Sequence, residues 1–325
     1  MTSTTDGLAL ATRGLRKSYG SRLALDGLDL SVPTGVVYGF LGPNGAGKTT
    51  TLRLLTGLIH PDAGSIELLG RPFGRSDRHR LFEVGALIEA PAFYPYLSGR
   101  ENLRALAATG APTTRGRIEE LLELVGLGGR AGDRVSGYSL GMKQRLGIAA
   151  ALLSDPTLLL LDEPANGLDP AGIVAMRDTL RHLAARGKTV LVSSHILGEV
   201  QQLADVVGII AAGKLIREGT MAELLHDEGV VRVRVDPSEV ATAATALQAL
   251  AGDDSVTVLP ASGTDAGWVT VKVAPTLAAD VNRALANAGV YASRLEAGSD
   301  LEDLFLQLTA GAELGAEGTF VGVRS

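Results

Sequence analysis

Short apolar runs alternate with longer helical patterns between Leu8 and about Leu224. Three of these runs are nearly continuous in apolar residues and have the length of a strand: "VVYGFLG", "TLLLLDEP" and "KTVLVSSH". Such runs indicate strands that are buried on both faces, as in a parallel sheet covered by helices. Ligands of these α/β sheets bind beyond the carboxyl ends of the strands. The pattern therefore predicts an α/β fold with a site where the three strands end.

Past His226 the pattern changes to strand, helix, strand, strand, helix, strand. The strands are "VVRVRV", "SVTVL", "WVTVKV" and "YASRLEAG", and the helices cover Ser238 to Ala251 and about Leu277 to Ala288. This order is typical of a small α+β domain of the ferredoxin-like type, which a helix in "DLEDLFLQLTA" would close. The segment contains no evident polar constellation, so we interpret it as an interaction or dimer-stabilising module.

Composition excludes several classes of protein. With 325 residues and 46% hydrophobic content, the chain is long enough for two domains. It has no cysteine, which excludes disulfides and thiolate metal sites. A net charge of −6 without a basic stripe argues against a nucleic-acid partner. No run approaches the ~20 apolar residues of a spanning helix, and the amino terminus lacks the features of a secretory signal. We therefore expect a cytoplasmic protein.

The segment "GPNGAGKTT" stands between a buried strand and a helical pattern and fits the phosphate-binding consensus G-x-x-x-x-G-K-[ST]. In such a P-loop the backbone wraps the phosphates, Lys48 offers a positive charge to them, and the hydroxyl of Thr49 serves Mg²⁺. The sequence therefore predicts a nucleotide with Mg²⁺ as cofactors. The predicted binding residues are Gly42, Pro43, Asn44, Gly45, Ala46, Gly47, Lys48, Thr49 and Thr50.

Two further buried strands end in residues that could act on a phosphate. Asp162 could hold Mg²⁺, and Glu163 beside it could position or polarise the attacking water. His195 ends the next strand and could donate a hydrogen bond to the γ-phosphate. An acidic pair after a strand is otherwise common as a helix cap, and a lone histidine is commonly structural. The P-loop favours the catalytic interpretation of all three residues.

The ordered set "GPNGAGKTT", "YSLGMKQR", "LLLLDEP", "NGLDP" and "VSSH" resembles the ATP-binding subunits of ABC transporters over about the first 225 residues. The resemblance implies that ATP is bound and hydrolysed by a domain with a mixed sheet core and a helical subdomain. It also implies a transmembrane permease on a separate chain. Tyr19 would stack on the adenine, although a lone tyrosine at a strand end is also common in a core or rim.

By the same resemblance "SGYSLGMKQR" is the family's signature motif, a second phosphate cradle at the start of a helix. It would contact the γ-phosphate of an ATP held by another subunit, so we expect a homodimer with two ATPs between the chains. Asp169 would lie in the D-loop between the two sites. Leu140 and Met142 replace the commoner Gly and Gln of the motif. The predicted signature residues are Ser139, Leu140, Gly141 and Met142.

Glu89 stands where most of these subunits carry a glutamine that touches Mg²⁺ and faces the membrane partner. A glutamate still offers oxygen ligands, so Glu89 is a predicted catalytic and metal-binding residue. It also adds a negative charge near the phosphates, which we expect Mg²⁺ or Lys48 to balance. The variant resembles bacitracin-resistance and lantibiotic-immunity ATPases, and "LEDLFLQLT" resembles the end of daunorubicin-resistance ATPases. The nearby aromatic run from Phe93 to Tyr96 suits an interface better than a core. We expect it to receive a cytoplasmic helix of the permease.

The predicted function is the ATP-hydrolysing subunit of a bacterial ABC exporter for antibiotic peptides, drugs or lipids, attached through its permease to the inner face of the membrane. The alternative is a soluble ABC ATPase that acts on ribosomes or DNA. The predicted division is a disordered tail over 1–7, the ATP-binding domain over 8–227 with its helical subdomain at about 90–155, the accessory domain over 228–310, and a flexible tail over 311–325.

Overall fold

The computed structural model describes residues 7–110, 113–226, 229–258, 267–297 and 305. The chain divides into two compact units between Gly219 and Thr220. The sequence placed this boundary later, at 227/228. In the structure the division falls at the end of the strand Lys214–Thr220, and a short helix follows that strand directly. Apart from Gly7, the predicted tails lie outside the described residues. The closing helix predicted at 300–310 does so too, apart from Phe305.

The first unit alternates strands and helices. Its strands are β1 (Leu8–Tyr19), β2 (Arg22–Pro33), β3 (Val37–Leu41), β4 (Ala63–Leu68), β5 (Arg71–Pro72), β6 (Val84–Leu87), β7 (Leu158–Asp162), β8 (Thr189–Ser194), β9 (Val206–Ala211) and β10 (Lys214–Thr220). Its helices are α1 (Lys48–Leu55), α2 (Gly99–Ala107), α3 (Arg117–Leu124), α4 (Leu140–Ala151), α5 (Pro170–Ala185) and α6 (Leu197–Leu203).

A six-stranded sheet in the order β10-β9-β3-β8-β7-β6 lies at the centre of this unit. The strands from β9 to β6 pair in parallel. Every residue of β3, β7 and β8 is buried, which confirms the three strands that the apolar runs predicted. Because parallel strands end at the same edge of a sheet, the loops that follow these three strands converge there.

The central sheet separates two hydrophobic cores. Leu158 and Leu160 of β7 face one core, and the alternating Leu159 and Leu161 face the other. The first core lies towards α1 and an antiparallel sheet in the order β2-β1-β4-β5. The second core lies towards α5 and the helices α2, α3 and α4. These two layers hold the strand ends from both sides.

The helices α2, α3 and α4 lie within the range predicted for the helical subdomain. Ser98 begins α2 with a capping box, in which its hydroxyl accepts from the N–H of Glu101 and the Glu101 carboxylate accepts from the N–H of Ser98. Asn102, which is buried, exchanges two hydrogen bonds with the backbone of Tyr94 and donates to the carbonyl of Ser98. These contacts fix the loop that precedes the subdomain.

The second unit has strands β11 (Val230–Arg234), β12 (Val256–Val258), β13 (Trp268–Lys272) and β14 (Arg294–Ala297), with helices α7 (Met221–His226), α8 (Val240–Ala251) and α9 (Ala278–Asn287). Its antiparallel sheet has the order β12-β13-β11-β14. From β11 onwards the elements follow in the predicted order. Alternate valines of β11 and β13 form a core with α8 and α9. The assignment to the ferredoxin-like type stays a prediction.

No helix in the ranges that the structure describes is long and apolar enough to cross a membrane.

Candidate functional site

The P-loop connects β3 to α1 and turns sharply at two glycines. A Cβ on Gly42 would collide with the carbonyl oxygen of Ile210, and Gly47 has φ +113°, in the left-handed region. Lys48 follows as the first residue of α1 and is only 6% exposed. Its ammonium group donates to the carbonyl oxygens of Gly42 (2.6 Å) and Pro43 (3.3 Å). The loop therefore curls around the lysine that the sequence predicted to meet phosphates.

Asp162 links this loop to the neighbouring strands. Its carboxylate is 5% exposed and accepts a hydrogen bond from the hydroxyl of Thr49 (2.8 Å) through Oδ2. Its other oxygen accepts from the hydroxyl of Ser193 (2.6 Å). Two hydroxyl donors stabilise the ionised carboxylate of a buried aspartate. The structure thus brings together Thr49 and Asp162, two of the three residues predicted to hold the metal; the third, Glu89, is paired with Arg53.

Glu163 lies between the side chains of Lys48 and His195. Its Oε1 is 3.3 Å from the ammonium nitrogen of Lys48, and its Oε2 is 2.7 Å from Nδ1 of His195. Because an ionised carboxylate only accepts, the Nδ1 of His195 is the donor in this contact. The backbone of Glu163 has φ +48°, in the left-handed region, which is unfavourable for a residue with a side chain. Residues at functional sites are often held in such strained conformations. A single carboxylate is therefore shared by the predicted phosphate-binding lysine and histidine.

A cavity of about 600 Å³ lies in front of these residues. Tyr19 is the last residue of β1, lines the cavity and is 44% exposed. Lys17 lies over the Tyr19 ring, with its ammonium nitrogen 5.8 Å from the ring centroid. The residues around the cavity include Tyr19, Arg22, Asn44, Gly45, Lys48, Thr49, Thr50, Glu163, Asn166 and His195.

The signature segment begins α4. Ser139 caps this helix, because its hydroxyl accepts from the N–H of Met142 (3.2 Å). Leu140 is 53% exposed, and a Cβ on Gly141 would lie 3.0 Å from the side chain of Leu168. None of the four signature residues lines the cavity around the P-loop as the described residues form it. One chain does not bring its signature to its own P-loop.

Asp169 is the N-cap of α5, where its carboxylate accepts from the N–H of Gly172 (3.0 Å). Its D-loop neighbour Leu168 meets the signature at Gly141.

Glu89 is not paired with Lys48, one of the two groups expected to balance its charge, and its predicted contact with Mg²⁺ stays a prediction. Its carboxylate is paired with the guanidinium of Arg53 on α1, and the side chain is 57% exposed. Lys48 is already held by Glu163 and the P-loop carbonyls. Arg53 lies in the last turn of α1, the helix that begins at Lys48. Like Glu163, Glu89 has a left-handed backbone, with φ +63°.

The aromatic run divides into one packed and two exposed side chains. Phe93 is partly buried against the core of the helical subdomain. Tyr94 and Tyr96 are 54% and 64% exposed, and their ring centroids are 5.8 Å apart. The expectation of a surface cluster holds for the two tyrosines and is wrong for Phe93, which fills the space beside α4.

Four residues of the site escaped the sequence analysis. The hydroxyl of Ser193 donates to Asp162 and accepts from the N–H of Glu163 (3.0 Å). Ser193 stands in the quoted "VSSH" segment, two positions before His195. Glu199 lies on α6, where burial and the negative charge of Glu163 raise its pKa. Asn166 and Arg22 line the cavity without belonging to a motif used above.

Comparison with known proteins identifies the class of this site. Residues 25–166 match the ABC transporter family. The chain is 50% identical over 210 residues to the bacitracin transport ATP-binding protein BcrA of Bacillus licheniformis, a match that covers 64% of this chain and 69% of that protein. It is 41% identical to the daunorubicin resistance ATP-binding protein DrrA3 of Streptomyces coeruleorubidus over 93% of this chain and 96% of that one.

The fold matches as well. The solved structure of an ATP-binding subunit of an ABC transporter superposes with a TM-score of 0.60 at 29% identity, over 66% of this chain and 91% of that one. The chain therefore belongs to the ATP-binding subunits of ABC transporters, and ATP is its nucleotide. The resemblance seen in the sequence, the fold class of the first unit and the ATPase assignment are confirmed.

Proposed function

We propose that this chain is the ATP-hydrolysing subunit of a bacterial exporter that moves a hydrophobic peptide antibiotic, a drug or a lipid through a permease on a separate chain. Two observations support the proposal. Relatives named for bacitracin transport and daunorubicin resistance match the chain, one of them along nearly its whole length. The carboxylate of Glu163 lies within reach of both Lys48 and His195, beside the Asp162–Thr49 pair.

Glu163 is the proposed general base. Its contacts with Lys48 and His195 occupy the two donor groups that phosphate oxygens would otherwise take. When ATP enters, these groups exchange the carboxylate for the γ-phosphate, and Glu163 becomes free to accept a proton from water. Lys48 and His195 then stabilise the charge that develops on the transferred phosphoryl group.

The oxygen ligands Thr49 and Asp162 fit Mg²⁺, which binds through one or two protein oxygens and the phosphates of its substrate. Within the described residues no group of three or more His, Cys, Asp or Glu is arranged to hold a metal ion. When bound, Mg²⁺ would neutralise charge on the phosphates. The Thr49 hydroxyl could offer a lone pair to the metal while it still donates its proton to the Asp162 carboxylate.

The signature and the P-loop belong to different chains in the proposed working unit. The N–H groups and the capped end of α4 suit an anion, and this helix end lies apart from the cavity of its own chain. A homodimer with two ATPs would join each P-loop to the signature of the other chain. Asp169 would then stand between the two sites.

The permease contact is proposed for the surface around Glu89, Tyr94 and Tyr96. The side chains of all three are more than half exposed, and Tyr is enriched at protein interfaces. The loop that carries the tyrosines is fixed by Asn102, so the two rings are held on a rigid base. Through this contact the subunit would be attached to the inner face of the membrane.

The proposal is tested with the chain and the permease encoded next to it, produced together and reconstituted in vesicles. We expect ATP-dependent loss of a bacitracin-like peptide or an anthracycline from the vesicle lumen or membrane, and none with Glu163→Gln. Co-purification with ribosomes or DNA and no association with a membrane protein would instead support the soluble alternative.

A further inference from the structure

Arg22 is a cation at the nucleotide cavity that no motif marks. It begins β2, directly opposite Tyr19 across the hairpin formed by Gly20 and Ser21. Residues directly opposite in an antiparallel pair project from the same face of the sheet. Both side chains accordingly line the cavity in front of the P-loop.

The guanidinium of Arg22 lies against the P-loop itself. A Cβ built on Gly45 would be 3.1 Å from the Nη2 atom of Arg22. Gly45 has φ +82°, so this position favours glycine on conformational grounds, and the missing side chain also leaves room for the guanidinium. Arg22 therefore reaches the backbone of the loop that cradles phosphates.

Arg22 also differs from the P-loop lysine in the contacts of its side chain. Lys48 is held by two carbonyl oxygens and by Glu163. Within the part of the chain that the structure describes, Arg22 has no hydrogen-bond or ion-pair partner. An anionic ligand can thus pair with Arg22 without breaking any of these contacts.

We propose that Arg22 is a nucleotide-binding residue whose guanidinium donates to phosphate oxygens near the ribose. The proposal rests on the nucleotide site described above. Tyr19, which is expected to stack on the base, stands opposite Arg22 in the hairpin, and Gly45 beside the guanidinium belongs to the loop that leads to Lys48. Arg22 is therefore next to both the residue expected at the base and the loop expected at the phosphates. The planar fork of a guanidinium matches two oxygens of one phosphate.

The test measures binding of ATP, ADP and adenosine to the purified full chain by calorimetry, with a chelator present so that nothing is hydrolysed. Arg22→Ala should weaken ATP and ADP about fivefold at low salt, as expected for one exposed charge pair, and less at high salt. Adenosine, which lacks phosphate, should bind as it does to the wild type. Arg22→Lys should retain most of the affinity because it keeps the charge.

Arg13→Ala is the matched control, since Arg13 is an exposed arginine on β1 that does not line this cavity. It should bind all three compounds as the wild type does. Unchanged affinity of Arg22→Ala for ATP and ADP would overturn the proposal. So would an equal loss for adenosine, because that result indicates a distorted hairpin. If Arg22→Ala does not fold, Arg22→Gln replaces it. A wild-type chain that binds no ATP would contradict the nucleotide site itself.

Discussion

Replacing Glu163 with glutamine should nearly abolish ATP hydrolysis and leave ATP binding intact. The amide keeps the shape of the side chain and an oxygen that can still accept from His195 or Lys48, but it cannot accept a proton from water. Lys48 retains its bonds to the carbonyls of Gly42 and Pro43, so the P-loop should stay formed. Asp162 retains both of its hydroxyl donors.

The size of the effect follows from the role assigned to the carboxylate. General base catalysis contributes about 100- to 10,000-fold, which corresponds to about 3 to 5 kcal/mol of barrier. Stability should change little, because Glu163 is partly exposed and Lys48 keeps its two carbonyl partners. We therefore expect a large loss in rate with nearly the same unfolding temperature.

The assay is phosphate release by the purified chain with ATP and Mg²⁺, followed by size-exclusion chromatography with ATP. Glu163→Gln should elute as an ATP-bound dimer that separates without nucleotide. Glu123→Gln is the matched control, because Glu123 is an exposed carboxylate on α3 that does not line the cavity around the P-loop. A Glu163→Gln variant that turns over ATP within tenfold of the wild type would refute the reasoning.

Glu89→Gln should leave ATP binding unchanged in the isolated chain, because Glu89 is paired with Arg53 and not with Lys48. The same substitution should alter the stimulation of the ATPase by the permease, measured in reconstituted vesicles. Equal stimulation of both forms would show that this charge has no role in coupling. Asp155→Asn should destabilise the chain at neutral pH and lose this effect in acid, because the hydrogen bond from Lys188 holds the pKa of Asp155 below its usual 3.8. A carboxylate whose pKa is lowered in the folded state stabilises the protein at pH values above its usual pKa, and this contribution disappears as the pH falls through the lowered pKa. Urea denaturation from neutral to acid pH should therefore show the stabilities of the variant and the wild type converge. A difference in stability that does not change with pH would contradict the assignment.

Features that depend on short contiguous segments could be predicted from the sequence. The buried strands β3, β7 and β8 were visible because a strand covered on both faces needs an unbroken apolar run. The P-loop was visible because glycine spacing, a lysine and a strand–helix context occur within one segment. Asp162 and Glu163 followed from their position at the end of such a strand.

Contacts between distant segments were not predictable in this way. The pairing of Arg53 with Glu89 joins residues that stand 36 positions apart, and nothing in either local pattern specifies the other. Arg22 approaches Gly45 only because the β1–β2 hairpin folds over the P-loop. Phe93 was assigned to the surface from its neighbours, although its side chain turns inwards. Local patterns determine elements, and packing determines which side chains meet.

Two inactive variants mixed together test most directly whether the catalytic site is shared between two copies of this chain. Lys48→Ala removes the P-loop cation, and Gly141→Asp places a negative charge at the signature beside Leu168. In a mixed dimer the intact P-loop of one chain faces the intact signature of the other, so one complete site is rebuilt. We predict ATPase recovery to about a quarter of the wild-type rate for random exchange, together with ATP-dependent recovery of both affinity tags in one complex. Two folded variants that give neither ATPase activity nor an ATP-dependent mixed dimer would contradict the shared site.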